Sequence, residues 1–268
     1  MTAFPTLSLR CRGLLLAGIL SLAALSTGAL SSTVQAAEPT AAEISAGPPA
    51  KATPATPGWG YWAKAPLDWQ RTLDGEVGRA RQGGIDVLFV GDSITQGWGG
   101  AGKALWEANY APLKAVNFGI GGDSTRQVLW RLDHGIIDGI APKVVVVAIG
   151  TNNLYNDQNS GTDEEIAAGV KQITTVLRAR LPQAKLLVLG MLPRQNAYFC
   201  DRIARINALV AKLDDGAAVR FLDPGAAFIS APGTVKPELY RDDQVHLTAA
   251  GYAVFDAALH PLVEQLLH

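Results

Sequence analysis

A serine, a histidine and an aspartate have the types and the spacing that nucleophilic ester hydrolysis requires. Ser93 follows closely on a short apolar run, and His246 lies three residues after Asp243 in a loop near the C-terminus. In this chemistry the histidine takes the serine proton, a carboxylate orients the histidine, and hydrogen-bond donors stabilise the oxyanion. Gly122 can bring a backbone N–H close to a reacting carbonyl, and Asn152 can supply a side-chain donor. Together these residues predict a hydrolase site with Ser93 as the nucleophile.

Each of these signals also has a structural interpretation. A Gly-Asp-Ser sequence is common in turns, Asn152 can hold the shape of a loop, and Asp243 can be a surface acid. We expect Ser124 to cap a helix rather than to take part in catalysis. For Asp92 we favour a role in orienting the serine turn over a catalytic one. The catalytic interpretation therefore depends on whether these residues meet at one edge of one fold.

Short apolar runs alternate with amphipathic segments along the chain. The runs are rich in Val, Ile and Leu and predict five strands: Ile85–Val90, Ala115–Phe118, Val144–Ile149, Lys185–Leu189 and Val219–Leu222. Such two-sided apolar strands are typical of a parallel sheet. The amphipathic segments predict helices at Asp68–Gln82, Ser124–Asp133, from Thr162 onward, around Ile203–Leu213 and at Thr248–Leu267. Thr162 and Glu165 have the spacing of a capping box.

This alternation predicts an α/β fold, a three-layer αβα sandwich with a five-stranded parallel sheet of the flavodoxin-like kind. In such folds ligands bind at the carboxyl ends of the strands. The loops that hold Ser93, Gly122 and Asn152 each follow a predicted strand directly, and His246 precedes the last helix. We therefore expect these residues to meet at that edge of the sheet.

Several blocks in this order resemble the SGNH (GDSL) hydrolases, from about Asp86 to Leu267. They are similar to the branch of intracellular platelet-activating-factor acetylhydrolase catalytic subunits and their bacterial relatives in the following stretches: Val87–Ser93, Asn117–Asp123, Val128–Leu132, Gly150–Asn153 and Leu189–Arg194. The G-x-S-x-G elbow of the α/β-hydrolases is absent, which agrees with this family. The resemblance implies the SGNH hydrolase fold, a catalytic set of Ser93, Asp243 and His246, and an oxyanion hole. The hole would consist of the backbone N–H groups of Ser93 and Gly122 and the Asn152 side chain.

The N-terminal region is typical of an export signal. Arg10 and Arg12 precede an apolar stretch that is too short to span a bilayer, and small residues lead to a predicted cleavage site ending at Ala36. We therefore predict a signal peptide at 1–36, a disordered linker rich in Pro, Ala and Thr at 37–58, and an SGNH hydrolase domain at 59–268. The predicted location is periplasmic or secreted, without a stable membrane anchor.

Composition and charge exclude several other classes of protein. The chain has 268 residues, 48% of them hydrophobic, and a formal net charge of -1, which gives no electrostatic basis for nucleic-acid binding. Its two Cys and four His are scattered, so we predict no metal site and no cofactor. Removal of residues 1–36 leaves Cys200 as the single cysteine, and we expect a packed thiol there rather than a nucleophile.

These observations predict an exported serine esterase that forms an acyl-enzyme on Ser93. The resemblance implies short-chain acyl esters, such as acetyl esters, of a small molecule or a glycan. Because the leader and linker do not match the intracellular members of that branch, their substrate is not transferred to this chain. Predicted substrate contacts are Trp98, Tyr155, Arg194 and Tyr198, and each of the three aromatic residues can equally pack in the core or anchor a loop. Alternative functions are a lysophospholipase or thioesterase, and a secreted carbohydrate-binding module without catalysis.

Overall fold

The computed structural model of the protein describes residues 66–155 and 160–268. The predicted signal peptide at 1–36 and the predicted linker at 37–58 lie outside the described residues, and both stay predictions. The described residues include most of the predicted hydrolase domain.

Five parallel strands form a single sheet in the order β2-β1-β3-β4-β5, which is the flavodoxin-like order. The strands are β1 (Val87–Gly91), β2 (Ala115–Gly119), β3 (Val144–Ala148), β4 (Lys185–Leu189) and β5 (Val219–Leu222). All five predicted strands are therefore confirmed, with ends shifted by at most two residues. Gly91 at the end of β1 is paired with Gly119 on one side and Ala148 on the other. The chain therefore leaves three adjacent strands at the same level.

The predicted helices are present as well. They are α1 (Pro66–Arg81), α4 (Thr125–Asp133), α5 (Asp163–Arg180), α6 (Ala197–Val210) and α7 (Ala249–Leu267), with the short helices α2 (Ser93–Gln96) and α3 (Lys103–Leu105) between β1 and β2. Thr162 and Glu165 form the predicted capping box at the start of α5. Ser124 caps α4 in the same way, paired with Gln127.

The two faces of the sheet are covered by different helices. Leu88 and Val90 of β1 point into an apolar cluster with α1, α4, α5 and α6, whereas Val87 and Phe89 point into a second cluster with α7. Alternating side chains of one strand thus serve both clusters. The predicted three-layer αβα sandwich is confirmed.

Two regions were not expected from the sequence. The chain from Gly97 to Leu113 continues α2 as a series of short helical turns, which pack several aromatic rings against the face covered by α7. A small antiparallel hairpin, β6 (Ile229–Ala231) and β7 (Thr234–Val235), follows β5. Within the described residues, no helix combines the length and the apolar character that a membrane span would need.

Candidate active site

Ser93 lies at the carboxyl end of β1, where the strand passes directly into α2. The Asp92 side chain caps this helix by accepting the backbone N–H of Ile94 at 2.9 Å. The close approach of β3 explains the glycine at the end of β1, because a Cβ atom on Gly91 would lie 2.2 Å from the carbonyl oxygen of Ala148. Ser93 is thus half-buried at a fixed point on the sheet edge.

His246 reaches Ser93 from the loop before α7. Its Nε2 lies 2.9 Å from Ser93 Oγ, and its Nδ1 lies 2.6 Å from Asp243 Oδ2. The other carboxylate oxygen of Asp243 accepts the backbone N–H groups of Val245 and His246, each at 2.9 Å. Gln244 makes this tight turn with a positive φ of 53°. The structure therefore places the three predicted catalytic side chains in one hydrogen-bonded line.

The carboxyl group of Asp243 is held in its ionised form. Partial burial acts to raise its pKa, but the His246 ring and the two backbone N–H groups outweigh burial and lower the pKa to about 2. An ionised Asp243 accepts a hydrogen from Nδ1 of His246 and leaves Nε2 free to accept the serine proton. This arrangement is what a histidine base requires.

The predicted oxyanion donors lie in the loops after β2 and β3. Gly122 has a φ of +82°, a conformation that favours glycine, and its neighbour Gly121 runs beside the serine, since a Cβ atom there would lie 3.6 Å from Ser93 Cβ. Asn152 donates one side-chain N–H to the backbone oxygen of Asp123 at 2.8 Å. The structure therefore joins Asn152 to the loop that presents Gly122.

An open cleft leads to Ser93 and His246. Its volume is about 500 Å³, and its walls include Gln96, Gly100 and the exposed side chain of Arg241. Both polar and apolar surfaces line it. The cleft has room for the alcohol portion of an ester.

A much smaller cavity is lined by the residues on either side of Ser93 in the chain. Its volume is about 30 Å³, and its walls include Ile94, Thr151, Met191 and Val245. One water molecule needs roughly 10–15 Å³ of such space. Because Ile94 follows Ser93 and Val245 precedes His246, the cavity adjoins the predicted catalytic groups but holds only a few atoms.

Trp98 was predicted to contact substrate, and this prediction is wrong. Only 1% of the side chain is exposed, and the ring packs against Trp106, Tyr110, Tyr252 and Phe255. The helical turns after α2 direct Trp98 into the core rather than into the cleft.

The other three predicted substrate contacts have different environments. Arg194 is buried, lines the small cavity and donates to the backbone and side-chain oxygens of Thr151. Its guanidinium lies 4.5 Å from the ring centre of Tyr155, which is 41% exposed. Tyr198 is 63% exposed. Both tyrosines can reach a ligand at the surface, and their role in binding stays a prediction.

Two further titratable side chains near the site, Asp92 and Cys200, have raised pKa values because they are buried or partly buried. Asp92 is buried, and burial raises its pKa to about 7, although the Ile94 N–H and the nearby His246, Arg194 and Arg131 oppose the increase. Cys200 is partly buried, which raises the pKa of its thiol, and its Sγ lies 3.6 Å from the Arg194 carbonyl oxygen. A raised pKa disfavours the thiolate that a cysteine nucleophile needs.

A buried ionic cluster beside the site was missed by the sequence analysis. Arg131 of α4 is in ionic contact with Glu76 of α1 and with Asp123, and these carboxylates lie 55 and 8 residues away along the chain. The available signal was an arginine between the core residues Val128 and Leu132 of an amphipathic helix. Among residues 66–155 and 160–268, no group of three or more His, Cys, Asp or Glu residues has the arrangement of a metal site.

Known proteins share both the sequence blocks and the fold. Residues 89–254 match the model of the GDSL-like lipase/acylhydrolase family. The platelet-activating factor acetylhydrolase IB subunits alpha2 of Bos taurus and Homo sapiens are each 42% identical to this chain over 186 residues, which cover 68% of this chain and 77% of the relative.

Two solved structures share the fold at 20% identity. A GDSL-like lipase from Bacteroides thetaiotaomicron superposes with a TM-score of 0.57 and covers 74% of this chain and 98% of its own. A mutant of the acetylxylan esterase Axe2 from Geobacillus stearothermophilus superposes with a TM-score of 0.54 and covers 69% of this chain and 94% of its own.

Proposed function

Because this chain belongs to the GDSL-like lipase/acylhydrolase family, and is therefore an ester hydrolase, we propose that it works through an acyl-enzyme on Ser93. The observation that supports this proposal is the line from Ser93 Oγ through His246 to Asp243, with distances of 2.9 Å and 2.6 Å. A hydroxyl, a base and an orienting carboxylate in hydrogen-bond contact are the requirements of nucleophilic acyl transfer.

In the first half of the reaction, His246 Nε2 takes the hydroxyl proton while Ser93 Oγ bonds to the ester carbonyl carbon. The carbonyl oxygen becomes an oxyanion, which the N–H groups of Ser93 and Gly122 and the Asn152 side chain stabilise. His246 then returns the proton to the departing alkoxide, and an alcohol leaves. In the second half, a water oxygen bonds to the acyl carbon while its proton passes to His246. The Ser93 ester bond then breaks as His246 returns that proton to Ser93 Oγ, and the carboxylic acid leaves.

Hydrolysis of p-nitrophenyl acetate by the wild type and by Ser93→Ala tests this role. The variant removes only one oxygen atom, so we expect it to fold normally and to lose roughly 10⁴- to 10⁶-fold in turnover. Equal activity in both proteins would refute Ser93 as the nucleophile. No activity in either folded protein would favour a binding module.

We also propose that the acyl group is short, with acetyl as the preferred group. The 30 Å³ cavity, which is lined by chain neighbours of Ser93 and His246, has space for only a few atoms, and the curated relatives at 42% identity are named acetylhydrolases. The larger cleft is open to solvent and suits the alcohol portion, whether that is a small molecule or a glycan.

Rates on acetyl, butyryl and octanoyl esters of p-nitrophenol distinguish these possibilities. All three share one leaving group, so their kcat/KM values differ only through the acyl chain. We expect the acetyl ester to react fastest. A preference for the octanoyl ester would remove the short-acyl proposal and favour a lysophospholipase.

We propose, finally, that the protein is exported, to the periplasm or beyond the cell. The support is the sequence of residues 1–36, in which two arginines, an apolar stretch and small residues occur in the order of a signal peptide. Fusion of residues 1–36 to alkaline phosphatase, with an arginine in place of Leu20 as the control, tests the proposal. Phosphatase activity in neither fusion would reject export.

A further inference from the structure

We propose that Arg131 is a positioning residue that holds the loop after β2 in place as part of an oxyanion hole. Its guanidinium contacts the backbone on both sides of the predicted hole and the carboxylate next to Gly122. This inference rests on the proposed function, because it assigns Arg131 a role in the same acyl transfer.

The guanidinium of Arg131 contacts the ends of two adjacent strands. Nη2 donates to the backbone oxygen of Gly91 at 3.0 Å, and Nη1 donates to the backbone oxygen of Phe118, also at 3.0 Å. Gly91 lies two residues before Ser93, and Phe118 lies at the end of the neighbouring strand. Arg131 therefore links the carboxyl ends of β1 and β2.

Arg131 also contacts Asp123, in the loop after β2. Arg131 Nε lies 2.8 Å from Asp123 Oδ2, while Trp69 Nε1 donates to Asp123 Oδ1 at 2.7 Å. Asp123 directly follows Gly122, and its backbone oxygen accepts the N–H of Asn152 at 2.8 Å. Asp123, which Arg131 holds in place, thus connects Gly122 and Asn152. These are the two proposed oxyanion donors that lie outside α2.

The ionic cluster around Arg131 is buried. Arg131 and Asp123 are fully buried, and Glu76, which accepts from Arg131 Nη1 at 2.7 Å, is 7% exposed. Burial raises the pKa of Asp123 to about 7, although Arg131 and the Trp69 N–H oppose the increase. Burial at this position therefore disfavours the ionised form of the carboxyl group. Apolar residues of similar volume often stabilise a fold as well as a buried ion cluster does. We therefore attribute the buried ionic cluster to the conformation that it imposes on the loop after β2, rather than to a gain in the stability of the fold.

Arg131→Lys is the principal variant for the test. Lysine keeps the positive charge but cannot reproduce the planar fork that contacts two carbonyls and a carboxylate at once. A displacement of about 1 Å in an active site can cost roughly 10²-fold in rate, so we expect kcat on p-nitrophenyl acetate to fall about 10²-fold. KM should change by less than about threefold, since substrate binding does not require the oxyanion.

Combining Arg131→Lys with Asn152→Ala distinguishes a positioning role of Arg131 from an effect on stability alone. If Arg131 holds the donors in place, the two effects overlap, and Asn152→Ala costs much less in the Arg131→Lys background than in the wild type. If Arg131 acts only on stability, the two rate losses multiply. Rates are compared at equal concentrations of folded protein, determined from near-ultraviolet circular dichroism.

Arg202→Lys is the matched control. Arg202 of α6 also forms an ion pair and a backbone contact, with Asp163 and the oxygen of Gly161, both at 2.8 Å. It does not contact the strand ends near Ser93, and we expect unchanged kcat. If Arg131→Lys fails to fold, Trp69→Phe provides a second test, because the smaller phenyl ring lacks the indole N–H that donates to Asp123.

The outcomes separate this inference from the proposed function. A folded Arg131→Lys protein with wild-type kcat, or with losses that multiply with Asn152→Ala, overturns the positioning role while Ser93-dependent hydrolysis stands. Absence of Ser93-dependent hydrolysis in the wild type overturns both. A large, overlapping loss of kcat with nearly constant KM supports the inference.

Discussion

The side chain of Asn152 donates a hydrogen bond to the backbone oxygen of Asp123 at 2.8 Å, across a separation of 29 residues. An amide group has two N–H donors, so this bond fixes the side chain and leaves a second donor for a ligand. The residue is therefore set in position before any substrate arrives, which is the condition for efficient stabilisation of a developing charge.

Replacing Asn152 should reduce turnover without preventing folding. We expect Asn152→Ala to lower kcat by roughly 10²- to 10³-fold, the usual cost of one oxyanion donor, with a small change in KM. Asn152→Asp keeps the shape of the side chain but replaces its N–H donors by an acceptor, which faces the backbone oxygen of Asp123. We expect this variant to be at least as slow. Steady-state rates on p-nitrophenyl acetate check both, and full activity in either variant would contradict the proposed role.

Asp243 and its neighbour Asp242 offer a matched pair of acids in one turn. Asp243→Asn removes the charge that orients His246 and allows the wrong ring tautomer, so we expect kcat to fall by roughly 10⁴-fold. Asp242 is exposed, and we expect Asp242→Asn to keep wild-type kcat. Equal losses in the two variants would show that general surface charge, not the contact at 2.6 Å, controls the rate.

The size of the small cavity lined by Ile94 and Val245 should control acyl selectivity. Val245→Ala enlarges that cavity without altering the backbone N–H that Val245 gives to Asp243. We expect the ratio of kcat/KM for butyryl over acetyl esters to rise about tenfold, the lower end of the discrimination that a methylene group provides. Leu67→Ala on the exposed surface of α1 is the control. An unchanged ratio would place the acyl group elsewhere.

The layers of the fold could be predicted because the signals are local. The run Val144–Ile149 reads as a buried strand, and Thr162 with Glu165 marks a helix start, since both patterns act within a few residues. The same holds for Asp243 and His246, three residues apart in one turn. The carboxyl ends of parallel strands lie at one edge of the sheet, where ligands bind. This rule alone predicted that the loops after β1, β2 and β3 lie close together, although they are distant in the sequence.

The features that the sequence concealed depend on distant contacts. Arg131 meets Glu76 only after two helices pack, and an arginine in α4 gives no indication by itself of a buried partner. The turns after α2 depend on aromatic packing against α7 rather than on periodicity. Trp98 was for this reason predicted in the cleft, although it lies in the core.

The ionisation of Asp92 should make stability depend on pH. Burial raises the pKa of Asp92 from 3.8 to about 7, so the folded protein binds this proton more tightly than the unfolded chain does. Its contribution to stability is therefore present at low pH and is lost as pH rises from about 4 to about 7. Asp92→Asn cannot ionise and keeps an oxygen to accept the Ile94 N–H.

The difference in unfolding free energy between Asp92→Asn and the wild type isolates the effect of the Asp92 carboxyl group from that of the other titratable groups. The free energy of unfolding of Asp92→Asn, relative to the wild type, should increase by a few kcal/mol between about pH 4 and pH 7 and then level off. Urea unfolding at a series of pH values measures it. A relative stability that stays constant from about pH 4 to pH 7 would show that the Asp92 pKa is not raised.

Trp98 and Tyr198 are aromatic residues that the sequence could not distinguish, and their variants should behave oppositely. Trp98 contacts four aromatic rings in the core, so Trp98→Ala should lower the free energy of unfolding by about 3–5 kcal/mol. Tyr198 is largely exposed, so Tyr198→Ala should change it by less than about 0.5 kcal/mol. Urea unfolding provides both values. If Tyr198→Ala raises KM for a glycan ester at unchanged stability, its ring contacts substrate; an unchanged KM would remove it from the binding surface.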